Sequence, residues 1–156
     1  MLTFIEKLSL QRNQKGFTLV EVLLSTGILT FALCSVLMVY ISCSALMATS
    51  KNINIATNAA LGLMEEIRGS AFPRIVDDYH GLLFVLNDIP TSRGIVYVDD
   101  TNSELLVVTI SVCWLQGSRV IGEDTNLDGA LTPEEDVNNN NIIDSPVQLV
   151  TRIANR

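Results

Sequence analysis

Oxygen-bearing side chains at alternate positions make residues 124–135 the stretch of this sequence best suited to chemistry. The stretch follows the calcium-loop pattern D-x-[DN]-x-[DN]-G-x5-E at every required position, and Gly129 permits the sharp turn that such a loop needs. Alternate residues of a tight loop point inward, where hard oxygen ligands surround the ion. The predicted ligands are the side chains of Asp124, Asn126 and Asp128, the backbone carbonyl of Ala130 and both carboxylate oxygens of Glu135.

The residues that follow repeat this spacing less completely, with Asn141 in place of the glycine. They predict a second, less complete metal site formed by Asp136, Asn138, Asn140 and Asp144. From Glu123 to Asp144 the chain has seven carboxylates and no lysine or arginine, so these charges repel one another unless a cation is bound. A disordered, metal-free surface loop is the alternative interpretation.

The prolines Pro133 and Pro146 argue against a long helix leaving this acidic loop, residues 123–144. We therefore expect an isolated calcium loop inserted between the last strands, rather than a pair of EF-hands. Extracellular modules of this kind bind calcium at about 10⁻⁴ to 10⁻³ M, which indicates a structural Ca²⁺ ion rather than a signalling one.

Other chemistry finds little support in the sequence. No spacing of serine, histidine and carboxylate and no glycine-rich phosphate loop is present, so we predict no enzyme and no catalytic residue. The only histidine, His80, lies in a predicted loop at residues 74–81, and Cys113 is expected to be buried in a strand. A net charge of −7 without a basic stripe predicts no binding to nucleic acid.

A second chemically unusual residue is Glu21, which lies at the start of a long apolar run. From Val22 to Met47 there is no charged residue, and a helix over those positions would be about 39 Å long, enough to cross a ~30 Å hydrocarbon core. A carboxylate placed toward the centre of a bilayer costs about 2.5 to 3.5 kcal/mol. Glu21 therefore requires a partner or a function.

The octapeptide around this carboxylate, Lys15-Gly-Phe-Thr-Leu-Val-Glu-Val22, resembles the processing motif of type IV pilins and type II secretion pseudopilins. The resemblance implies that prepilin peptidase cuts after Gly16 and that Phe17 becomes the N-methylated first residue. It also implies that Glu21 neutralises the amino terminus of a neighbouring subunit when the helices pack into a filament. The alternative is a helix-end glutamate that reaches the head groups and is favoured by the helix dipole.

Basic residues precede the apolar run, at Lys7, Arg12 and Lys15, so the positive-inside rule places the amino terminus in the cytoplasm and the carboxyl part in the periplasm. We expect a leader over residues 1–16, a membrane-spanning and assembly helix over 17–48, and a periplasmic domain over 49–156. A conventional secretory signal, cut near Cys43-Ser44-Ala45, is the rival interpretation. Its apolar core is usually shorter, about 7 to 15 residues.

The predicted fold class is α+β, with one long helix packed against a small antiparallel sheet and the calcium-type loop inserted. Apolar residues at three- and four-residue steps from Ile53 to Ile67 extend the helix from Phe17 to about Arg68, where Gly69 and Pro73 end it. Strands are predicted at residues 82–86, 95–98 and 105–115, with a hairpin turn at 99–102.

Three further segments, 58–68, 108–114 and 149–155, resemble the minor-pilin branch that includes the I-type minor pseudopilins. The absence of a proline before Pro73 favours the same branch. The resemblance implies a subunit of the filament's initiating tip complex, inserted in the inner membrane before assembly and in contact with prepilin peptidase and other pilin subunits. The alternative is a membrane-tethered, calcium-dependent binding module that forms no filament and needs no cut at Gly16.

Overall fold

The computed structural model describes residues 16–155, and its longest element is a single α-helix, α1, from Leu19 to Gly69. The residues up to Ser44 form a unit by themselves, in which the apolar side chains are exposed. Within the described residues, α1 is the one helix long and apolar enough to cross a membrane. Its serine and threonine hydroxyls bond to backbone carbonyls of the preceding turn, for example Ser35 Oγ to the Phe31 carbonyl at 2.9 Å. Such internal bonds satisfy polar groups within an apolar segment.

The residues from Ala45 onward form a second compact unit, which we call the head. Within it α1 buries one stripe, because its fully covered residues recur at steps of three and four. These are Ala56, Ala60, Met64 and Ile67. The predicted amphipathic half of the helix is confirmed.

After α1 the chain forms a 3-10 helix at Phe72–Arg74 and a short helix, α2, at Ile75–Tyr79. The prediction of a loop at residues 74–81 was therefore wrong. Proline fits the first turn of a helix, and Ile75 and Tyr79, four residues apart, are both buried against the head's core. The Tyr79 hydroxyl donates to Glu66 Oε1 at 3.1 Å and lies 3.0 Å from Ser70 Oγ, which fixes α2 to the end of α1.

Five antiparallel strands form one sheet. They are β1 (Leu83–Leu86), β2 (Ile89–Asn102), β3 (Leu105–Gln116), β4 (Arg119–Ile121) and β5 (Val147–Ala154). The central strand β3 pairs with β2 on one side and with both β4 and β5 on the other.

The predictions of one strand and of one turn need correction. Strand β2 is much longer than the predicted 95–98, and residues 99–102, predicted as a hairpin turn, belong to it. The chain reverses one step later, because Asn102 pairs with Leu105 and the Asn102 side chain accepts the Glu104 N–H at 2.9 Å. This Asx turn closes the hairpin without the aspartates at 99 and 100.

The two faces of the sheet bury different partners. On the inner face, β2 and β3 place their apolar side chains in the main core with α1, among them Val96, Ile110 and the fully buried Trp114. On the outer face, a smaller cluster joins Ile95 and Cys113 to the loop residue Ile143. The acidic loop, inserted between β4 and β5 as predicted, therefore covers part of the outer face.

Candidate functional sites

The start of α1 forms a reciprocal capping box. Gly16 and Phe17 are exposed and precede the helix. The Glu21 N–H donates to Thr18 Oγ1 at 3.2 Å, and the Thr18 N–H donates to Glu21 Oε2 at 3.5 Å. These bonds use two of the amide donors that a helix start leaves free. The partner of the Glu21 carboxylate in the single chain is thus its own first turn.

The first half of the acidic loop folds around Asp124, which is only 1% exposed. Its carboxylate accepts the N–H groups of Asp128 at 3.2 Å and Gly129 at 2.9 Å. Asn126 Oδ1 also accepts the Asp128 N–H, at 2.9 Å, and Asp128 Oδ1 accepts the Ala130 N–H at 2.7 Å. These successive Asx turns bring three of the five predicted ligand residues, Asp124, Asn126 and Asp128, into one hydrogen-bonded group.

The second half repeats this arrangement. The Asp136 carboxylate accepts the N–H groups of Asn140 at 3.0 Å and Asn141 at 2.9 Å, and Asn138 Oδ1 accepts the Asn140 N–H at 3.0 Å. Asp144 Oδ2 accepts the Asn140 side-chain amide at 3.1 Å, so this residue also joins the group. The two halves are therefore similar in conformation as well as in sequence.

The backbone supports this similarity. Gly129 and Asn141 occupy equivalent positions and have φ values of 81° and 62°. Leu127 and Asn139, each two residues earlier, have φ values of 58° and 57°. Asparagine is among the residues that tolerate the left-handed region best, which explains how Asn141 replaces a glycine.

Glu135, the predicted bidentate ligand, is used differently in this structure. One of its oxygens accepts the Thr125 N–H at 2.9 Å and hydroxyl at 2.6 Å, and the other accepts the Thr132 N–H at 3.2 Å and hydroxyl at 2.9 Å. The hydroxyl bonds from Thr125 and Thr132 contribute most to lowering the pKa of Glu135 to about 2. Four donors occupy the usual acceptor positions of a carboxylate. Glu135 therefore closes the loop as a clasp between the two threonines.

Burial is the largest influence on Asp124 and raises the pKa of its carboxyl group, against the lowering effect of the Gly129 and Asp128 N–H groups. Among residues 16–155, no group of three or more His, Cys, Asp or Glu side chains is arranged to hold a metal ion. The donor chemistry of Asp124, Asn126 and Asp128 suits calcium, but Glu135 does not join them here. Calcium binding by the five predicted residues, and by the second set, stays a prediction.

Contacts from the sheet to the acidic loop involve residues that sequence reasoning did not single out. Arg93 Nε donates to the Leu127 carbonyl at 3.0 Å, and the Ile143 N–H donates to the Tyr97 hydroxyl at 3.1 Å. These contacts join residues far apart in sequence. One feature of the sequence could have indicated these contacts. Ile95 and Tyr97 place apolar groups on the outer face of the sheet, and another segment of the chain must then bury them.

The two isolated residues behave as structural groups. Cys113 is buried in β3 as predicted, and burial raises the pKa of its thiol to about 11. His80 is exposed, and its Nδ1 accepts the Val98 N–H at 3.1 Å, which connects the end of α2 to β2.

Comparison with known proteins bears on the amino-terminal part of the chain. Residues 11–39 match the family model described as the prokaryotic N-terminal methylation motif. This match includes Gly16, Phe17 and Glu21, and it confirms the methylation motif predicted from those residues. No curated protein and no solved structure matches the chain.

Proposed function

We propose that this chain, which has the amino-terminal segment of a type IV pilin or pseudopilin prepilin, is a minor structural subunit of a type IV pilus or type II secretion pseudopilus. The observation that carries the proposal is the methylation motif at residues 11–39, which runs directly into α1. In such a prepilin, prepilin peptidase removes the leader after Gly16 and Phe17 is methylated. The apolar half of α1 then serves first as a membrane anchor and later as the filament contact.

The exposed apolar half of α1 agrees with this function. Helix α1 buries one stripe of its second half against the sheet, and its apolar first half is left for other subunits. The many exposed apolar side chains of residues 19–44 need either lipid or neighbouring helices. Pilin assembly supplies each in turn, with the same helix facing lipid before polymerisation and protein afterwards.

We assign the chain to the minor, tip-complex branch on two grounds. Segments 58–68, 108–114 and 149–155 resemble that branch, and they correspond to the buried stripe of α1 and to strands β3 and β5. No proline interrupts α1, unlike the corresponding helix of many major pilins. Incorporation limited to a few copies per filament would support this assignment, and incorporation along the whole filament would refute it.

The experiment that tests the proposal is co-expression with a prepilin peptidase followed by mass analysis of the amino terminus. We expect a chain that begins at Phe17 and carries one added methyl group. A Gly16→Val variant is the matched control and should keep its leader. An uncut wild-type chain would favour the alternative, a membrane-tethered calcium-dependent binding module, and a cut near Ala45 would indicate a secretory signal.

We also propose that the acidic loop binds a structural calcium ion. Support comes from the match to the calcium-loop pattern and from the hydrogen-bonded grouping of Asp124, Asn126 and Asp128. Glu135 can complete this site only by exchanging its threonine donors for the ion, so the clasp and the metal compete for one carboxylate. Titration calorimetry of the head with CaCl₂ tests the proposal, with a Glu135→Gln variant expected to bind more weakly. Absence of any heat of binding to the wild-type head would refute it.

A further inference from the structure

Strand β5 is a long and regular edge of the sheet. It pairs with β3 along its whole length, Val147–Ala154, without a register shift. The other outer strands differ, because β4 has only three residues and β1 has four, with a register shift between Phe84 and Leu86. Short strands and bulges are devices that keep a sheet edge from pairing with other chains. Strand β5 has neither of them.

The backbone of β5 presents hydrogen-bonding groups that β3 does not use. In an antiparallel pair, alternate residues direct their N–H and C=O groups to the partner strand, and the residues between them direct theirs away from it. Among residues 16–155, β3 is the one strand that pairs with β5. Val150, in the middle of β5, is 60% exposed. The outward-directed groups of β5 are therefore open to a further strand.

Two arginines lie beside this edge, on opposite faces of the sheet. Arg68, near the end of α1, donates from Nη2 to Thr151 Oγ1 at 2.8 Å. Thr151 shares the inner face with Ile153, which packs against the main core. The side chain between them, Arg152, points to the outer face and is exposed, because successive side chains of a strand alternate. Both arginines line one groove of about 380 Å³, together with the last residues of β5.

This basic edge contrasts with the rest of the chain, whose net charge is −7. Arg68 forms an ion pair with Glu65 at 3.0 Å, whereas Arg152 takes part in neither of the ion pairs recorded for the described residues. A guanidinium has five N–H donors, so the bonds to Glu65 and Thr151 do not use all those of Arg68. Donors in this planar arrangement bind carboxylates well. The charge of the groove therefore favours an acidic ligand.

We propose that the outer edge of β5 binds an extended acidic segment of a partner protein, which adds to the sheet as a further strand. Backbone hydrogen bonds supply the affinity in this mode of recognition, and side chains supply the selectivity. The side chains of a docked strand alternate as well, and the two arginines flank neighbouring positions on opposite faces. The preferred segment therefore has carboxylates at adjacent positions, one for Arg68 and one for Arg152. This inference goes beyond the filament role and does not depend on cleavage at Gly16.

Two peptides of the same composition and charge test the proposal. Each is as long as β5, has blocked ends and a fluorescent label, and contains threonine, valine and a pair of glutamates. In the first peptide the glutamates are adjacent, and in the second they are separated by one residue, so that in a strand they lie on the same face. Fluorescence anisotropy measures binding to the full-length chain in detergent micelles. We expect the first peptide to bind about threefold more tightly, because it reaches both arginines.

Variants of the chain locate the binding site. Arg152→Gln should remove the preference, so that the two peptides bind equally. Arg119→Gln is the matched control and should keep it, because Arg119 pairs with Gln116 and Arg152 pairs with Val107, far along β3. Bound peptide should also slow hydrogen exchange of the outward-directed β5 amides and leave the amides of β1 unchanged.

Three results would overturn the proposal. They are no binding of either peptide at millimolar concentration, equal binding of the two peptides to the wild-type chain, and unchanged exchange of the β5 amides in the presence of peptide. The edge would then be solvated, with Arg152 acting as a charge that discourages pairing. All these outcomes are independent of the mass analysis that tests cleavage and of the calorimetry that tests calcium binding.

Discussion

Thr18 and Glu21 cap the start of α1 reciprocally, with the Glu21 N–H 3.2 Å from Thr18 Oγ1 and the Thr18 N–H 3.5 Å from Glu21 Oε2. In the single chain the carboxylate is therefore engaged by its own helix. A role of Glu21 at the helix end does not exclude a role in assembly. The capping bonds stabilise the helix start, and the assembly role of Glu21 stays a prediction.

Replacing Thr18 by valine keeps the side-chain shape and removes the cap, so the first turn of α1 should fray. Loss of an N-cap costs about 1 kcal/mol, equivalent to about fivefold faster exchange of the Glu21 amide. Amide hydrogen exchange of the micelle-bound chain measures this. Thr26→Val is the control, because the Thr26 hydroxyl donates to the Leu23 carbonyl inside the helix and takes no part in the cap. An unchanged Glu21 amide would mean that the cap contributes little.

Glu21→Ala should be processed normally, because cleavage follows Gly16, but it should fail to enter filaments. The reason is that a neighbour's amino terminus would then be buried without a counter-charge. The measurement compares the processed and filament-bound fractions of the variant with those of wild type. Thr18→Val serves as the control that weakens the helix start but keeps the carboxylate. Normal incorporation of Glu21→Ala would remove the assembly role.

Patterns carried by a single element were readable from the sequence. The buried stripe of α1 follows from apolar spacing, and the inner face of β3 follows from alternation between Val108 and Trp114. Contacts between segments distant in the chain could not be predicted from such patterns. The true end of β2 depends on an Asx turn at Asn102, and α2 depends on a place in the core for Ile75 and Tyr79. Glu135 matched a ligand pattern, whereas its hydrogen bonds with Thr125 and Thr132 became evident only from the structure.

Gly122→Ala should destabilise the head, because alanine at a φ of 115° is strained and its methyl group would collide with Cys113 Sγ. Overpacking of this kind costs about 1 to 3 kcal/mol. Urea unfolding of the head, followed by Trp114 fluorescence, measures the change. Gly62→Ala lies in exposed helix with nothing near its Cβ and should instead stabilise by up to ~1 kcal/mol. Equal effects from the two variants would contradict the assignment of Gly122 as a constrained position.

Calcium should raise the melting temperature of the head, because an ion that binds only the folded loop stabilises the folded state. The rise should grow as the calcium concentration increases above Kd. Asp124→Asn should abolish this rise, since it removes the charge of the buried first ligand. Asp88→Asn, in the exposed turn between β1 and β2, is the charge-matched control and should keep the rise. A melting temperature insensitive to millimolar CaCl₂ in the wild-type head would contradict the prediction.

Acid should weaken the closed loop through Glu135. Its folded pKa, about 2, lies below the ordinary value of 4.5, so its contribution to stability is fully present above pH 4.5 and is lost as the pH falls toward 2. Asp124 acts in the opposite sense, because burial raises its pKa and protonation relieves the buried charge. Urea unfolding of the head between pH 5 and pH 2 should therefore show a loss in wild type that is smaller in Glu135→Gln.

The neighbouring Glu134→Gln is the control for this titration, since Glu134 is exposed whereas Glu135 is buried. It should keep the wild-type loss of stability in acid. The difference between the two variants then isolates the clasp from the general protonation of an acidic head. The same slope for Glu135→Gln as for wild type would mean that the threonine donors do not hold the Glu135 carboxylate in solution. A shallower slope confined to Glu135→Gln would establish the clasp as the loop's acid-sensitive closure.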